Sequence, residues 1–162
     1  MAKGRAMTPA VEAARRAGVP FELLEYEHDP AAEAYGEEAA RALQLDPARV
    51  FKTLVAKLDG GTLAVGIIPV AARVDLKALA ATLGARRAEM APPAEAERAT
   101  GYVVGGISPL GQKRRLPIAL DSSALGHGTI CVSAGRRGAQ IALAPADLVR
   151  LTGALVADIA RE

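Results

Sequence analysis

The stretch FKTLVAKLDGGTLAVGIIP, residues 51–69, predicts a β-hairpin and indicates the class of the fold. Two largely apolar runs, 51–58 and 62–69, flank the tripeptide Asp59-Gly60-Gly61. Glycine next to aspartate supplies the positive backbone angles that a tight hairpin turn needs. The two runs are therefore expected to pair as antiparallel strands.

The residues on either side of the hairpin predict further short strands and helices. Strands are expected at 21–26, 117–120, 129–133, 139–143 and 155–159. Helices are expected between Thr8-Pro9 and Gly18 and at 36–45, 75–83, 93–100 and 144–152. Because hairpins outnumber strand–helix–strand crossovers, we expect an α/β fold, a mixed and largely antiparallel sheet with helices packed around it. Residues 7–162 are expected to form this single domain, after a disordered or loosely attached extension, 1–6.

Composition favours a globular protein in the cytoplasm. The 162 residues suit one domain, and apolar residues make up 51%, enough for a core. No apolar stretch approaches the roughly 20 residues of a membrane-spanning helix, and the basic N-terminus does not resemble a signal peptide. The single cysteine, Cys131, excludes an intramolecular disulfide and a multi-cysteine zinc site. An aromatic content of only 3% argues against binding nucleic acid by stacked aromatic side chains.

Charge is distributed unevenly along the chain, although the net charge is only +2. Residues 98–146 contain six basic residues and one acidic residue, a local net charge of +5 (6 minus 1). The first 97 residues hold 14 of the 18 acidic residues. This asymmetry suggests a cationic face for an anionic partner, and solvated loop charges are the alternative explanation.

Lys52 is the first candidate functional residue. Strand alternation places it on one face with Val50, Leu54 and Ala56, where an ammonium group is costly unless it is paired or faces a cavity. Lys52 is therefore either a cation at the floor of a cleft, able to hold a phosphate, hydroxyl or carbonyl oxygen, or an edge-strand lysine that extends into water.

The second candidate is the loop GYVVGGISPLG, residues 101–111, which contains four glycines and one proline. Glycine lets main-chain N–H groups approach a ligand, where they can hold a carbonyl oxygen as it becomes negative. The loop is not a Walker A motif, because Gln112 separates Gly111 from Lys113, and it lacks the second glycine of a nucleophile elbow. An ordinary surface turn is the alternative. The basic triplet 113–115 follows directly, which suits a substrate whose reactive end hangs from a polyanion.

No side chain stands out as a nucleophile or as a metal ligand. Cys131 lies in an apolar run and is expected in the core. His28 and His127 are the only histidines and lack the spacing of metal ligands. A Ser/His/Asp triad built on Ser108 or Ser133 has no supporting local pattern. We therefore expect a site that positions and polarises its substrate, without a metal.

Two motifs resemble the signatures of the YbaK family, namely Phe51-Lys52-Thr53-Leu54 and the thirteen-residue segment 101–113. The family comprises bacterial Cys-tRNA(Pro) deacylases related to the editing domain inserted in prolyl-tRNA synthetase. Shorter matches at 7–11, 26–30, 69–71 and 157–160 extend the resemblance from about residue 7 to the C-terminus. The loop motif is the specific one, and the shorter matches are supporting evidence.

The resemblance implies a fold, a substrate and a set of site residues. The fold would be one α/β domain whose mixed sheet forms a barrel-like core. The substrate would be an aminoacyl ester on the 3′-terminal adenosine of tRNA, with no metal or organic cofactor. The implied catalytic residues are Lys52, Gly105 and Gly106. The implied substrate-binding residues are Tyr26, Tyr35, Phe51, Ile107, Ser108, Pro109 and Ser133. The expected tRNA phosphate contacts are Lys113, Arg114, Arg115, Arg136 and Arg137.

The resemblance also implies a mechanism and a partner. In the cysteine-specific members, the thiol of the substrate attacks its own ester carbonyl, so correct positioning replaces a protein nucleophile. Prolyl-tRNA synthetase is the implied partner, because the family has little apparatus for reading an anticodon. Gln140 and Tyr35 depart from the family pattern, in which an acidic residue and a phenylalanine are common at these places. Two alternatives remain: a deacylase for another mischarged tRNA such as Ala-tRNA(Pro), and a non-catalytic tRNA- or synthetase-binding module.

Overall fold

The structure is a computed structural model that describes residues 7–162, so the predicted extension 1–6 lies outside the described residues. The helices are α1 (Pro9–Ala17), α2 (Tyr35–Ala42), α3 (Leu76–Thr82), α4 (Pro93–Thr100) and α5 (Pro145–Thr152). The strands are β1 (Phe21–Glu25), β2 (Phe51–Leu58), β3 (Thr62–Pro69), β4 (Arg73–Val74), β5 (Ala88–Met90), β6 (Ile118–Asp121), β7 (Ile130–Ser133), β8 (Ala139–Leu143), β9 (Leu155–Ala157) and β10 (Ala160–Arg161). Short 3₁₀ turns occur at Pro47–Arg49 and Ser122–Gly126.

The strands form two main sheets and a small ribbon. The larger sheet has the strand order β5-β2-β3-β6-β9, the smaller has the order β1-β8-β7, and β4 pairs with β10. The ladders β3–β6 and β6–β9 are parallel, and the other ladders are antiparallel. The predicted mixed, largely antiparallel α/β fold is confirmed. Within residues 7–162 the sheets do not close into a continuous barrel.

The predicted hairpin has the expected bounds. Phe51 pairs with Pro69 at one end and Leu58 with Thr62 at the other, and the turn uses positive φ angles of 48° at Asp59 and 76° at Gly60. The strands β4, β5 and β10 were not predicted, because segments of two or three residues are too short to show an alternating pattern.

Most helix ends follow local capping rules. Thr8 accepts a hydrogen bond from the Val11 N–H at the start of α1, and Gly18 ends the helix with φ 72°. The prediction for α2 was wrong at its C-terminal end, because the helix stops at Ala42 and the chain turns through Gln44 with φ 55°. Among the described residues, no helix is long and apolar enough to cross a membrane.

The meeting point of the two sheets leaves part of β2 open. On the edge of β2 away from β3, strand β7 lies nearby but pairs only at an isolated bridge between Val50 and Cys131. Strand β5 pairs with that edge only from Ala56 onwards. Residues 51–54 therefore form a ladder only with β3, and their other edge is left open.

Asp121, at the end of β6, ties this sheet to the C-terminal segment. Its buried carboxylate accepts hydrogen bonds from the N–H groups of Ile159 and Ala160, at 3.0 and 3.1 Å. The second carboxylate oxygen accepts from the N–H and hydroxyl of Ser123. This acid is structural, since its acceptor capacity is used within the fold.

Candidate active site

A cavity of about 370 Å³ occupies the gap beside β2. Its walls are the open edge of β2, the first turn of α2, the glycine loop after α4, and the ends of β7 and β8. Six of the predicted site residues line it: Tyr35, Phe51, Lys52, Gly105, Ile107 and Ser133. The fold thus brings together two motifs that lie about fifty residues apart in the sequence.

Lys52 contributes its ammonium group to this cavity. Burial lowers the pKa of Lys52 below its ordinary value, and the nearby charge of Glu37 partly opposes this effect. Within residues 7–162, Lys52 makes no ion pair or hydrogen bond. The structure therefore favours the cleft cation over the lysine that extends into water.

Three polar cavity residues follow one another across neighbouring strands. Lys52 and Ser133 each lie two residues after the parallel bridge Val50–Cys131, so each side chain is on the same side of its strand as the bridged residue. Ser133 in turn pairs with Gln140 on β8. Lys52, Ser133 and Gln140 consequently face the same side, and all three line the cavity.

Helix α2 approaches β2 closely because its second residue is glycine. A Cβ atom on Gly36 would lie 2.4 Å from Val70 Cγ1 and 4.0 Å from Lys52 Cβ. A larger residue would push the helix away from the strands. The contact places the neighbouring residues Tyr35 and Glu37 on the cavity wall.

The two loop glycines have different roles in the structure. The Gly106 N–H donates a 2.8 Å hydrogen bond to Val103 O, so this donor is used inside the loop. Gly105 lines the cavity with φ 89°, and its N–H has no hydrogen-bond partner among the described residues. The geometry therefore leaves Gly105, and not Gly106, with a main-chain donor for a ligand.

Arg137 holds the glycine loop in place. Its Nε and one terminal nitrogen donate to Val104 O at 2.9 and 2.6 Å, and its guanidinium lies 4.6 Å from the centre of the Tyr35 ring. Arg136 pairs with Glu25. Both arginines are thus engaged within the protein, and their contacts with tRNA phosphates stay a prediction.

The remaining predicted substrate-binding residues, Tyr26, Ser108 and Pro109, lie outside the cavity lining. Ser108 is fully buried, and its hydroxyl accepts a hydrogen bond from the Leu110 N–H, so it stabilises the conformation of the loop. Tyr102 braces the same loop by donating to Leu110 O at 2.7 Å, and burial raises its pKa to about 12. A direct contact of Tyr26, Ser108 or Pro109 with the substrate stays a prediction.

The basic triplet Lys113-Arg114-Arg115 is exposed. The N–H groups of Lys113 and Arg114 donate to the end of α4, at Thr100 O and Ala99 O. Arg114 and Arg115 border a second concavity of about 200 Å³, which shares no lining residue with the first. Within the described residues, none of the three side chains forms an ion pair, so their charges face the solvent.

A model of the aminoacyl-tRNA editing domain matches residues 28–151, most of the chain and all of the cavity wall. The chain belongs to the aminoacyl-tRNA editing domain family. The family and the enzyme class predicted from the sequence, a YbaK-type aminoacyl-tRNA deacylase, are therefore confirmed.

This editing domain is similar to two curated deacylases and to one solved structure. EbsC of Enterococcus faecalis, provisionally named a Cys-tRNA(Pro)/Cys-tRNA(Cys) deacylase, is 40% identical over 76% of this chain and 75% of its own. The multifunctional Ser/Thr-tRNA deacylase ProXp-y of Escherichia coli K12 is 29% identical over 83% of this chain and 80% of its own. A crystal structure provisionally described as a trans-editing enzyme for prolyl-tRNA synthetase superposes with a TM-score of 0.77 at 27% identity, covering 97% of this chain and all of that one.

Two polar atoms of the editing-domain cavity were not predicted as site atoms. Thr53 Oγ1 and Gln140 Oε1 are buried and have no hydrogen-bond partner in the described part of the chain. Both residues line the cavity. The sequence pointed to Gln140 only as a departure from the family pattern, and Thr53 only as part of a motif. Neither the departure at Gln140 nor the motif around Thr53 shows that an atom is unpaired, because pairing depends on the surroundings of the atom in the folded protein.

Proposed function

We propose that this editing enzyme removes cysteine from mischarged Cys-tRNA(Pro) and that the thiol of the substrate cleaves the ester. The observation that carries the proposal is a cavity in which the described residues offer a cation, Lys52, and an unpaired main-chain donor, Gly105, but no activated nucleophile. Cys131 is fully buried in the core, and burial raises the pKa of its thiol. The Ser133 hydroxyl accepts from the Gly135 N–H, and within residues 7–162 it forms no hydrogen bond with a histidine or a carboxylate that could act as its base.

In the proposed reaction, the sulfur of the cysteinyl group attacks its own ester carbonyl. A carbon–sulfur bond forms, the carbon–oxygen bond to the ribose breaks, and the thiol proton passes to the departing ribose oxygen. The products are a cyclic thioester and uncharged tRNA. The Lys52 ammonium favours the thiolate form of the substrate, and the Gly105 N–H stabilises the carbonyl oxygen as charge develops. Holding sulfur and carbonyl in contact supplies much of the rate, because the reaction is intramolecular.

The relatives support this assignment at two levels. EbsC is named for cysteinyl-tRNA substrates, and it is the more similar of the two curated proteins described above. ProXp-y is named for seryl- and threonyl-tRNA, so another small amino acid is the competing substrate. The thiol distinguishes these possibilities, because neither serine nor alanine can form a thioester.

The experiment measures release of labelled cysteine from Cys-tRNA(Pro) by the wild type, Lys52→Ala and Lys77→Ala. Lys77 is an exposed lysine of α3 outside the cavity lining, so it controls for loss of one positive charge. We expect the wild type and Lys77→Ala to act alike, and Lys52→Ala to lose at least about a hundredfold in rate. Equal rates on Cys-tRNA(Pro) and Ala-tRNA(Pro) would rule out thiol assistance.

We also propose that the exposed bases Lys113, Arg114 and Arg115 contact tRNA phosphates. Replacing Arg114 and Arg115 by alanine should lower the slope of log affinity against log salt by about one for each lost phosphate contact. The exposed pair Arg86 and Arg87 provides a matched control on another surface. An unchanged slope would place the tRNA elsewhere.

Prolyl-tRNA synthetase is the proposed partner. The relationship to a crystal structure described as a trans-editing enzyme for prolyl-tRNA synthetase supports this choice. Adding the synthetase should raise the preference for tRNA(Pro) over other cysteinyl-tRNAs without changing the cleavage step. The cytoplasmic location stays a prediction.

A further inference from the structure

Gln140 places an unpaired hydrogen-bond acceptor inside the cavity. Its Oε1 atom has no partner within residues 7–162, and the residue is 94% buried, with 6% of its surface exposed. An unsatisfied buried polar atom is costly, and such atoms occur where a ligand supplies the missing partner. The carbonyl oxygen of an amide only accepts, so the missing partner must be a donor.

The position of Gln140 is fixed by strands on both sides. It pairs with Leu24 of β1 on one edge of β8 and with Ser133 of β7 on the other. It lines the same cavity as Lys52. We assign this deeply buried position to the amino-acid end of a substrate, because a cavity of about 370 Å³ admits a small group but not the body of a tRNA.

An aminoacyl group brings two kinds of donor, its α-ammonium group and a polar side chain. The carboxylates of Glu33 and Glu37 also line the cavity and suit the cationic α-ammonium group. Gln140 is neutral and shares its cavity with the Lys52 cation, which favours an uncharged donor beside Gln140. Hydroxyl and thiol groups are the uncharged donors of small amino-acid side chains, and the hydroxyl is the stronger donor.

We propose that Gln140 determines specificity by accepting a hydrogen bond from the side-chain hydroxyl or thiol of the aminoacyl group. The substrate class is then small amino acids with such a donor on the β-carbon. This inference rests on the proposed deacylase function but concerns recognition and not cleavage. A ligand with an apolar side chain leaves Gln140 Oε1 unpaired, so it binds more weakly.

Binding of uncleavable analogues tests the proposal separately from catalysis. The probes are 3′-deoxy-3′-aminoadenosine carrying L-serine or L-2-aminobutyrate through an amide bond, two side chains of matched size with and without the hydroxyl. Calorimetry measures their dissociation constants for the wild type, Gln140→Met and Gln140→Glu. Methionine keeps the length of the side chain without the acceptor, and glutamate keeps the acceptor.

The wild type should bind the seryl analogue about tenfold more tightly than the 2-aminobutyryl analogue. Gln140→Met should bring this ratio to about one, and Gln140→Glu should preserve a preference for serine. A ratio unchanged in Gln140→Met, or equal weakening of both analogues, would overturn the proposal, as would no binding of either analogue by the wild type. If the ratio behaves as expected while no tRNA ester is cleaved, the recognition role stands and the proposed deacylation fails.

Discussion

Replacing Gly105 by alanine tests the arrangement of the glycine loop. The new Cβ atom would lie 2.8 Å from the Tyr35 ring and 2.9 Å from Arg137 Nε, and the residue has φ 89°. The variant therefore meets two penalties, a backbone conformation that alanine disfavours and a collision with the side chains that hold the loop.

The two penalties can be separated with Gly84→Ala as a control. Gly84 has φ 77°, but a Cβ atom there meets nothing within 4 Å. We expect Gly84→Ala to lower the free energy of unfolding by about 1–2 kcal/mol, the cost of the left-handed backbone. Gly105→Ala should lose a further ~1–3 kcal/mol, because Tyr35 and Arg137 must move.

Urea unfolding measures the stability of both variants, and single-turnover release of cysteine from Cys-tRNA(Pro) measures their activity. Displacing the Gly105 N–H should reduce the rate by about tenfold to a hundredfold in Gly105→Ala, whereas Gly84→Ala should cleave at the wild-type rate while folded. If Gly105→Ala were as stable and as active as Gly84→Ala, the close approach of Tyr35 and Arg137 to the loop would be refuted.

Three further predictions concern single residues. Lys52→Met should raise the midpoint of urea unfolding at neutral pH, because burial lowers the pKa of Lys52 and so disfavours its charged form in the folded state. The stability advantage of this variant over the wild type should vanish as the pH rises above about 10.4, because the lysine is then neutral in the unfolded state as well. Arg137→Lys should lower kcat by about tenfold with little change in KM, because a lysine cannot donate hydrogen bonds to Val104 O and stack on the Tyr35 ring at the same time. A change confined to KM and to its salt dependence would instead indicate that Arg137 contacts a phosphate. Asp121→Ala should lower the free energy of unfolding by about 2–4 kcal/mol, since one buried and two partly buried N–H groups lose their acceptor. The rate per folded molecule should stay unchanged, and an unaltered urea midpoint would contradict the structural role.

Local patterns in the sequence were sufficient for most secondary structure. The hairpin bounds, the cap at Thr8 and the left-handed glycines after α1 and α4 were predicted correctly. Each of these depends on interactions within a few residues of chain. The end of α2 and the strands of two or three residues were missed, because a turn at Gln44 and pairing with distant strands decide them.

The sequence also pointed to the correct motifs but not to the roles of all their atoms. Lys52 and Gly105 line the cavity as expected. The sequence does not reveal two contacts of this loop, the hydrogen bond from the Gly106 N–H to Val103 O and the hydrogen bonds from Arg137 to Val104 O. Both depend on how the loop folds back on itself and on how close the start of β8 lies to it. A basic residue in a sequence carries the same charge whether it contacts solvent, a phosphate or a carbonyl oxygen of its own chain.

The sequence by itself determined the hairpin, the helix caps, the glycine loop and the family, because these depend on the order of neighbouring residues. Only the tertiary structure decided that the β2 edge stays open between Val50 and Ala56 and that Gln140 reaches the resulting cavity with an unpaired oxygen. The physical reason is that burial and hydrogen-bond satisfaction are properties of the surroundings of an atom. Those surroundings are supplied by residues far away along the chain, such as Val50 and Cys131 at the bridge that joins the two sheets.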